Sequence, residues 1–283
     1  MSTTFHLTLT CPDRPGIVAR VSALLFEHGT NIVEAQQFTD VDARRFFMRV
    51  VFERAEDPDR IRRAIADMAG EYAMEFQLRD AARLKRVLLL ASREEHCLGD
   101  LLYRQRIGEL DMEVVGIVSN HPREALHLAA IGDIPFHHLP VTPESKPQQE
   151  ARIREIVEET GAELIVLARY MQILSDELTR FLAGRCVNIH HGFLPGFKGA
   201  RPYHQAHARG VKMIGATAHF VTSDLDEGPI IAQDVEQITH ADTPAALVRK
   251  GRDIERRVLA RALHFLVEDR VMLNDGKTVV FSE

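Results

Sequence analysis

Arg86-Val87-Leu88-Leu89-Leu90-Ala91 is a short aliphatic run of the kind produced by a strand buried on both faces of a parallel sheet. Met112 to Val118 and Glu163 to Ala168 repeat it. Helical patterns at Cys97 to Ile107, Pro122 to Ile131 and Gln148 to Thr160 lie between these runs and supply crossovers, so the economical fold is an open, mostly parallel, Rossmann-like α/β sheet with right-handed connections. A helix at Ser175 to Ala183 leads to a further strand ending at His190. In such sheets ligands bind beyond the carboxyl ends of the strands, which marks the segment around His190 as a site. Downstream, a short helix from Pro202 to His207, strands at Val211 to Val221 and Ile230 to Ile238, and an amphipathic helix from Thr243 to Leu266 complete the pattern.

The first 84 residues read differently. Phe5 to Thr10 alternates like a strand, Cys11-Pro12-Asp13-Arg14-Pro15-Gly16 breaks it, and Ile17 to Phe26 is helical up to Gly29. Ile32 to Phe38 and Arg45 to Phe52 form a hairpin, Asp57 to Gly70 a second helix and Ala73 to Leu78 a last strand. The order βαββαβ predicts a ferredoxin-like sheet with two helices on one face. With a linker at Arg79 to Lys85, two domains are expected, 1–84 and 85–283.

Composition narrows the function. Of the 283 residues 45% are apolar and 27% charged, which excludes disorder and fibrous repeats, and the net charge of −6 argues against a polynucleotide partner. Cys11, Cys97 and Cys186 lack CxxC spacing and are too few for a disulfide scaffold. No apolar run reaches membrane-spanning length and no signal-peptide core is present, so a cytoplasmic protein without membrane contact is expected.

Chemistry concentrates in Cys186 to Tyr203, Cys-Val-Asn-Ile-His-His-Gly-Phe-Leu-Pro-Gly-Phe-Lys-Gly-Ala-Arg-Pro-Tyr. On a strand Asn188 and His190 share a face, roughly 7 Å apart. Gly192, Pro195, Gly196, Gly199 and Pro202 then shape a lip that a ligand can approach closely. A satisfied strand-end amide and a hydrogen-bonded core imidazole are the competing readings of Asn188 and His190. Their shared face beside a rigid loop favours catalysis.

Asn188-x-His190, the glycine- and proline-rich lip and Leu225-Asp226-Glu227-Gly228-Pro229 resemble the formyltransferase family that uses 10-formyltetrahydrofolate, over residues 86 to about 240. The N-terminal pattern and the Cys-Pro-Asp-Arg-Pro-Gly-Ile-Val-Ala turn resemble an ACT domain. The first resemblance implies a catalytic trio of Asn188, His190 and Asp226, with His219 supporting it from behind. It also implies folate contacts at Met171, Gln172, Ile173, Leu174, Gly199, Val221 and Asp224. The second implies an amino-acid effector at Asp13, Gly16, Ile17 and Asn31, where a helix N-terminus favours a carboxylate, and homo-oligomers formed through the ACT domains. Shaping a turn and capping a helix is the competing role for those four residues.

Relatives that formylate a nucleotide amine resemble a Gly-x-Gly-Ser turn after the first strand, suited to the acceptor's phosphate. Here that turn is Ala91-Ser-Arg-Glu-Glu-His-Cys97, without glycine and with two carboxylates. Water is therefore the expected acceptor, and hydrolysis of 10-formyltetrahydrofolate to formate and tetrahydrofolate, supplying purine synthesis and balancing one-carbon pools, the expected reaction. Asn188 would donate to the oxyanion, His190 would donate there too and pass a proton to N10, and Asp226 would orient water and His190.

No tightly bound cofactor is expected. Lys198 and Arg201 are solvated by default or meet the folate's glutamate tail. Three alternatives remain: formyl transfer to an amine, an amino-acid-responsive regulator without catalysis, and a metal hydrolase using His190, His191, His204, Asp224 and Asp226. The last lacks any HExxH spacing, and adjacent histidines on a strand point to opposite faces.

Overall fold

A computed structural model of the chain describes residues 3–53, 57–127, 131–196 and 202–282. The chain divides into two compact units, and the break between Leu84 and Lys85 separates them.

The first unit is built from β1 (Thr4–Pro12), α1 (Ile17–Glu27), β2 (Asn31–Asp40), β3 (Arg45–Glu53), α2 (Pro58–Tyr72) and β4 (Glu75–Asp80). Its antiparallel sheet has the order β2-β3-β1-β4. Phe5, Leu7 and Leu9 of β1 and Phe46, Met48, Val50 and Phe52 of β3 bury alternate side chains against Ile17, Val21 and Leu25 of α1 and Ile61 and Ile65 of α2. The intervening residues of β3 are buried as well. Phe47 packs with Val279 and Phe281, and Arg49, 1% exposed, donates to the Glu268 carbonyl and to Glu34 Oε1. The 268–272 and 279–282 segments thus belong to this unit, and the expected continuous second domain, 85–283, gives up its end to the first.

Two other expectations change here. Arg79 is not linker but a buried β4 residue that donates to Asp269 Oδ2 at 2.7 Å and to the Arg83 carbonyl. The last strand starts at Glu75 rather than Ala73, because Ala73 takes a left-handed φ of 49° and caps α2. Within this unit Asp13 and Gly16 are exposed in the turn into α1, with Gly16 at φ 92°, Asn31 is exposed at the start of β2, and Ile17 is buried in the core.

The second unit contains β5 (Lys85–Ala91), α3 (His96–Arg106), β6 (Met112–Ser119), β7 (Phe136–His138), α4 (Lys146–Thr160), β8 (Leu164–Leu167), α5 (Asp176–Phe181), β9 (Cys186–His190), α6 (Pro202–Arg209), β10 (Met213–Phe220), β11 (Ile230–Gln237) and α7 (Pro244–Val267). The sheet order is β11-β10-β9-β8-β5-β6-β7, with β9 to β7 parallel and the β10 and β11 ribbon antiparallel. Val87 to Ala91 are all buried, as a central strand requires.

The Pro122 to Ile131 helix is not formed over its described part. A 3-10 turn at Arg123–Ala125 ends as Leu126 turns extended, and the His127 amide bonds to Glu95 Oε2 at 2.7 Å instead of continuing a helix. Beyond α7 a short hairpin follows, β12 (Val271–Asn274) and β13 (Lys277–Val280). Among the described residues no helix is long and apolar enough to cross a membrane.

Candidate active site

Asn188 and His190 lie on the same face of β9, next to two strands that complete the site. The antiparallel pairing sets His219 of β10 directly opposite Asn188 and Thr217 opposite His190. Directly opposed residues on one face are close enough for their side chains to meet. Asn188 Nδ2 accordingly lies 3.3 Å from His219 Nε2, while His219 Nδ1 donates to the Phe220 carbonyl at 2.8 Å. That carbonyl only accepts, so the His219 proton sits on Nδ1 and Nε2 accepts from Asn188. Burial pulls the His219 pKa down and keeps the ring neutral. One amide N–H of Asn188 is committed to His219, and the other is available to a reactant.

Asp226 comes from the turn joining β10 to β11. It adopts φ 58°, in the left-handed region, and Gly228 beside it packs so tightly that an added Cβ would stand 1.7 Å from the Phe220 carbonyl oxygen. The Phe220 amide donates to the Pro229 carbonyl at 2.9 Å and closes the turn. Asp226 Oδ2 reaches His190 Nδ1 at 3.3 Å, and Oδ1 lies 3.8 Å from His219 Nε2. The hydrogen bond from His190 holds the Asp226 carboxyl below the usual carboxylate range against a partial burial that acts upward. An ionised carboxylate only accepts, so Nδ1 of His190 carries the proton and faces it. Nε2 of His190 is buried and has no hydrogen-bond partner among the described residues, which leaves it as the ring atom for a reactant.

These residues line a cavity of about 300 Å³ together with Met171, Gln172, Ile173, Leu174 and Val221. The Ala168 to Leu174 segment leaves β8 and is fixed by Ser92, whose hydroxyl accepts from the Met171 amide at 3.0 Å and donates to Asn120 Oδ1 at 2.7 Å. Met171 and Ile173 remain 53% and 63% exposed, apolar side chains available to a ligand rather than spent on core packing.

Asp224 is exposed and is not among the residues lining the cavity, its carbonyl accepting from Thr222, whereas its neighbours Thr222, Ser223 and Leu225 do line it. Gly199, Lys198 and Arg201 lie outside the described residues. His204 and Asp224 are exposed and neither lines the cavity, so the metal set expected as an alternative is not assembled among the described residues. Among the described residues the closest group of potential ligands is His96, Cys97 and Glu255, none of which was in that set.

His191 overturns an expectation. β9 ends at His190, so strand alternation does not extend to it; its ring stacks on that of His190 at 5.2 Å between centroids, and both line the cavity. Three further residues escaped sequence reading. Thr217, fully buried, accepts from the Leu194 amide at 3.0 Å and donates to the Gly192 carbonyl at 2.9 Å, and so anchors the lip. Gln233 bonds both Leu194 and Thr217. Arg169 bridges His191 and Glu255.

The described arrangement offers an amide donor, an imidazole with one free nitrogen and an ionised carboxylate behind it, at the edge of a largely apolar cavity. That set suits attack on a carbonyl-type carbon.

Residues 85–263 match the model of the formyl transferase family, and residues 6–70 that of the ACT domain. Formyltetrahydrofolate deformylase of Corynebacterium sp. (strain P-1) is 48% identical over 97% of this chain and 96% of its own. The protein of the same name from Bacillus subtilis (strain 168) is 46% identical over 98% and 93%. A crystal structure of formyltetrahydrofolate deformylase from Burkholderia mallei aligns at a TM-score of 0.94, with 52% identity over 99% of this chain and 100% of that one. Glycinamide ribonucleotide transformylase 1 from Symbiobacterium toebii aligns at 0.65, with 28% identity over 70% of this chain and 95% of its own.

Proposed function

The chain belongs to the formyltetrahydrofolate deformylase family, and we propose that it hydrolyses 10-formyltetrahydrofolate to formate and tetrahydrofolate. The observation that carries this is the Asn188, His190 and Asp226 constellation, held by His219 and the Gly228 turn at the edge of the 300 Å³ cavity.

Water enters beside the formyl carbon of the bound folate. His190, with Nδ1–H on Asp226, takes a proton from water at Nε2 as the oxygen attacks. The growing imidazolium is stabilised by the ionised carboxylate. Charge on the formyl oxygen is met by the Asn188 N–H not committed to His219. His190 then returns the proton to N10, the C–N10 bond breaks, and formate and the secondary amine of tetrahydrofolate leave. Met171, Gln172, Ile173, Leu174 and Val221 hold the folate and keep bulk water from the reacting centre.

Formyl transfer to a nucleotide amine is the second reading. A separate cavity of about 860 Å³ lies at the Ala91 to Cys97 turn, lined by Arg93, Arg252 and Arg256 but equally by Glu94, Glu95 and Asp100. Its Arg252 is paired to Glu94 at 3.1 Å and its Arg256 to Asp253, so these cations are already offset before a phosphate arrives. Water is the acceptor this environment favours.

We further propose a cytoplasmic homo-oligomer, assembled through the ACT domain, that supplies formate to purine synthesis and needs no tightly bound cofactor. Asp13 and Gly16, exposed before α1, and Asn31, exposed at the start of β2, are the proposed amino-acid effector site, with Ile17 supporting it from the core. Incubating the purified protein with 10-formyltetrahydrofolate alone, then with glycinamide ribonucleotide added, tests the reaction. Formate release independent of the amine is expected; formyl transfer without hydrolysis would refute the proposal.

A further inference from the structure

Glu255 is an acidic residue on the buried stripe of α7, 1% exposed beside Ile254, Val258 and Leu259. A carboxylate in that position is strongly destabilising unless fully paired. Its Oε1 accepts from the Tyr203 hydroxyl at 2.7 Å and its Oε2 from His96 Nε2 at 2.9 Å, while Arg169 Nε forms an ion pair with Oε2 at 3.3 Å. Tyr203 is seated on Gly251, one helical turn earlier, where a Cβ would fall 2.0 Å from its ring. Burial pushes the Glu255 carboxyl up, but the bonds from His96 and Tyr203 and the Arg169 charge outweigh it and the carboxyl stays ionised.

Arg169 joins this group to the active site. It leaves β8 at φ 64°, and its Nη1–H donates to His191 Nδ1. A guanidinium has no acceptor atom and does not deprotonate, so Nδ1 must offer its lone pair and the ring proton must sit on Nε2. A second proton, on Nδ1, would face the guanidinium directly. Among the described residues, the groups around His191 include Arg169 after β8, His190 on β9, Tyr203 on α6 and Asp226 after β10, with Glu255 and His96 behind Arg169.

We propose that Glu255 and Arg169 are positioning residues that hold His191 as a neutral Nε2–H tautomer against His190, so that the proton taken from water stays on His190. The neutral His191 ring then separates two opposite-charge pairs, Glu255 with Arg169 on one side and Asp226 with the transiently cationic His190 on the other. With the imidazole rings 5.2 Å apart, a cationic His191 would oppose charging of His190 and block water activation. The arrangement leaves His191 as an N–H donor in the wall of the cavity. This inference rests on the hydrolytic reading of the site.

The test combines two readouts on the full chain. Nitrogen-15 histidine NMR of the resting protein, with His191 assigned by its loss in His191→Gln, is expected to show a neutral Nε2–H ring from about pH 5.5 to 8. In Arg169→Met the ring is expected to titrate within that range. The acid limb of formate release should also move up by about half a unit or more, with kcat down roughly tenfold and KM within about twofold. Glu255→Gln, which keeps the Tyr203 and His96 contacts, provides the second variant and is expected to lower kcat with the same KM. An Nδ1–H or titrating His191 in the unmodified protein, or acid limbs and kcat unchanged in folded variants, would overturn the proposal. Failure of the unmodified protein to release formate would refute the hydrolytic reading instead, and the resting tautomer is read without turnover.

Discussion

Asn188 and His219 face one another across β9 and β10, and the 3.3 Å between Nδ2 and Nε2 makes the histidine a clamp on the proposed oxyanion donor. The Phe220 carbonyl fixes the histidine in turn. Replacing Asn188 by Ala is expected to lower kcat by about 10²–10³ with a small change in KM. His219→Gln, which keeps a polar group at the clamp, should lose less. Steady-state formate release from both variants checks the order; a larger loss for His219→Gln would make His219 the primary group.

Asp226→Asn removes the charge that orients His190 and offsets its proton. A fall in kcat of about 10²–10⁴ is expected with the circular dichroism spectrum retained. Turnover at the unmodified rate would remove Asp226 from the mechanism.

The two shifted groups act on stability in different pH windows. Burial lowers the His219 pKa, so below about pH 6.5 the unfolded chain binds a proton the folded one refuses, and stability declines as pH falls towards the folded value. Asp226, lowered mainly by the His190 hydrogen bond, contributes stability fully above its unfolded value near 3.9 and loses it as pH falls through the folded value. Urea midpoints should therefore show a shallower decline from pH 7 to 5 in His219→Gln than in the unmodified protein. In Asp226→Asn the slope should flatten only below about pH 4.

Gly228→Ala places a methyl group where the Phe220 carbonyl oxygen stands 1.7 Å away. The turn must open, which displaces Asp226 from His190 and costs about 3 kcal/mol or more. Thermal unfolding and formate release should fall together, and a variant as stable as the original would show that the turn is not the constraint described here.

Thr217→Val keeps the shape of a buried β-branched side chain but removes the hydroxyl that joins Gly192, Leu194 and Gln233. Leaving those groups unsatisfied is expected to cost about 1–3 kcal/mol and to raise KM as the lip loosens. Unchanged KM in the folded variant would separate the lip from substrate binding.

The parallel sheet was legible because Val87 to Ala91 is aliphatic without alternation, and the face shared by Asn188 and His190 followed from a period of two. What escaped was set by contacts distant in sequence. Arg49, Arg79 and Asp269 look like surface charges until the chain end from Glu268 covers them. The near-continuous burial of Phe46 to Phe52 was the available sign that both faces of that sheet are covered. His191 was misread because alternation stops where β9 stops, and Arg169 and Glu255 because their partners come from different elements. Asp226 rose above its neighbour Asp224 only through the family resemblance; a left-handed φ at one and solvent exposure at the other separate them in space.

The central claim is that water, activated by His190 on Asp226, is the acceptor of the formyl group. It is tested most directly by turnover of 10-formyltetrahydrofolate in oxygen-18 water without an amine, following formate by mass and tetrahydrofolate by absorbance. One labelled oxygen per formate and equal amounts of the two products are predicted, with both lost in Asp226→Asn. Absence of labelled formate from the unmodified protein, or turnover only when an amine is added, would contradict it.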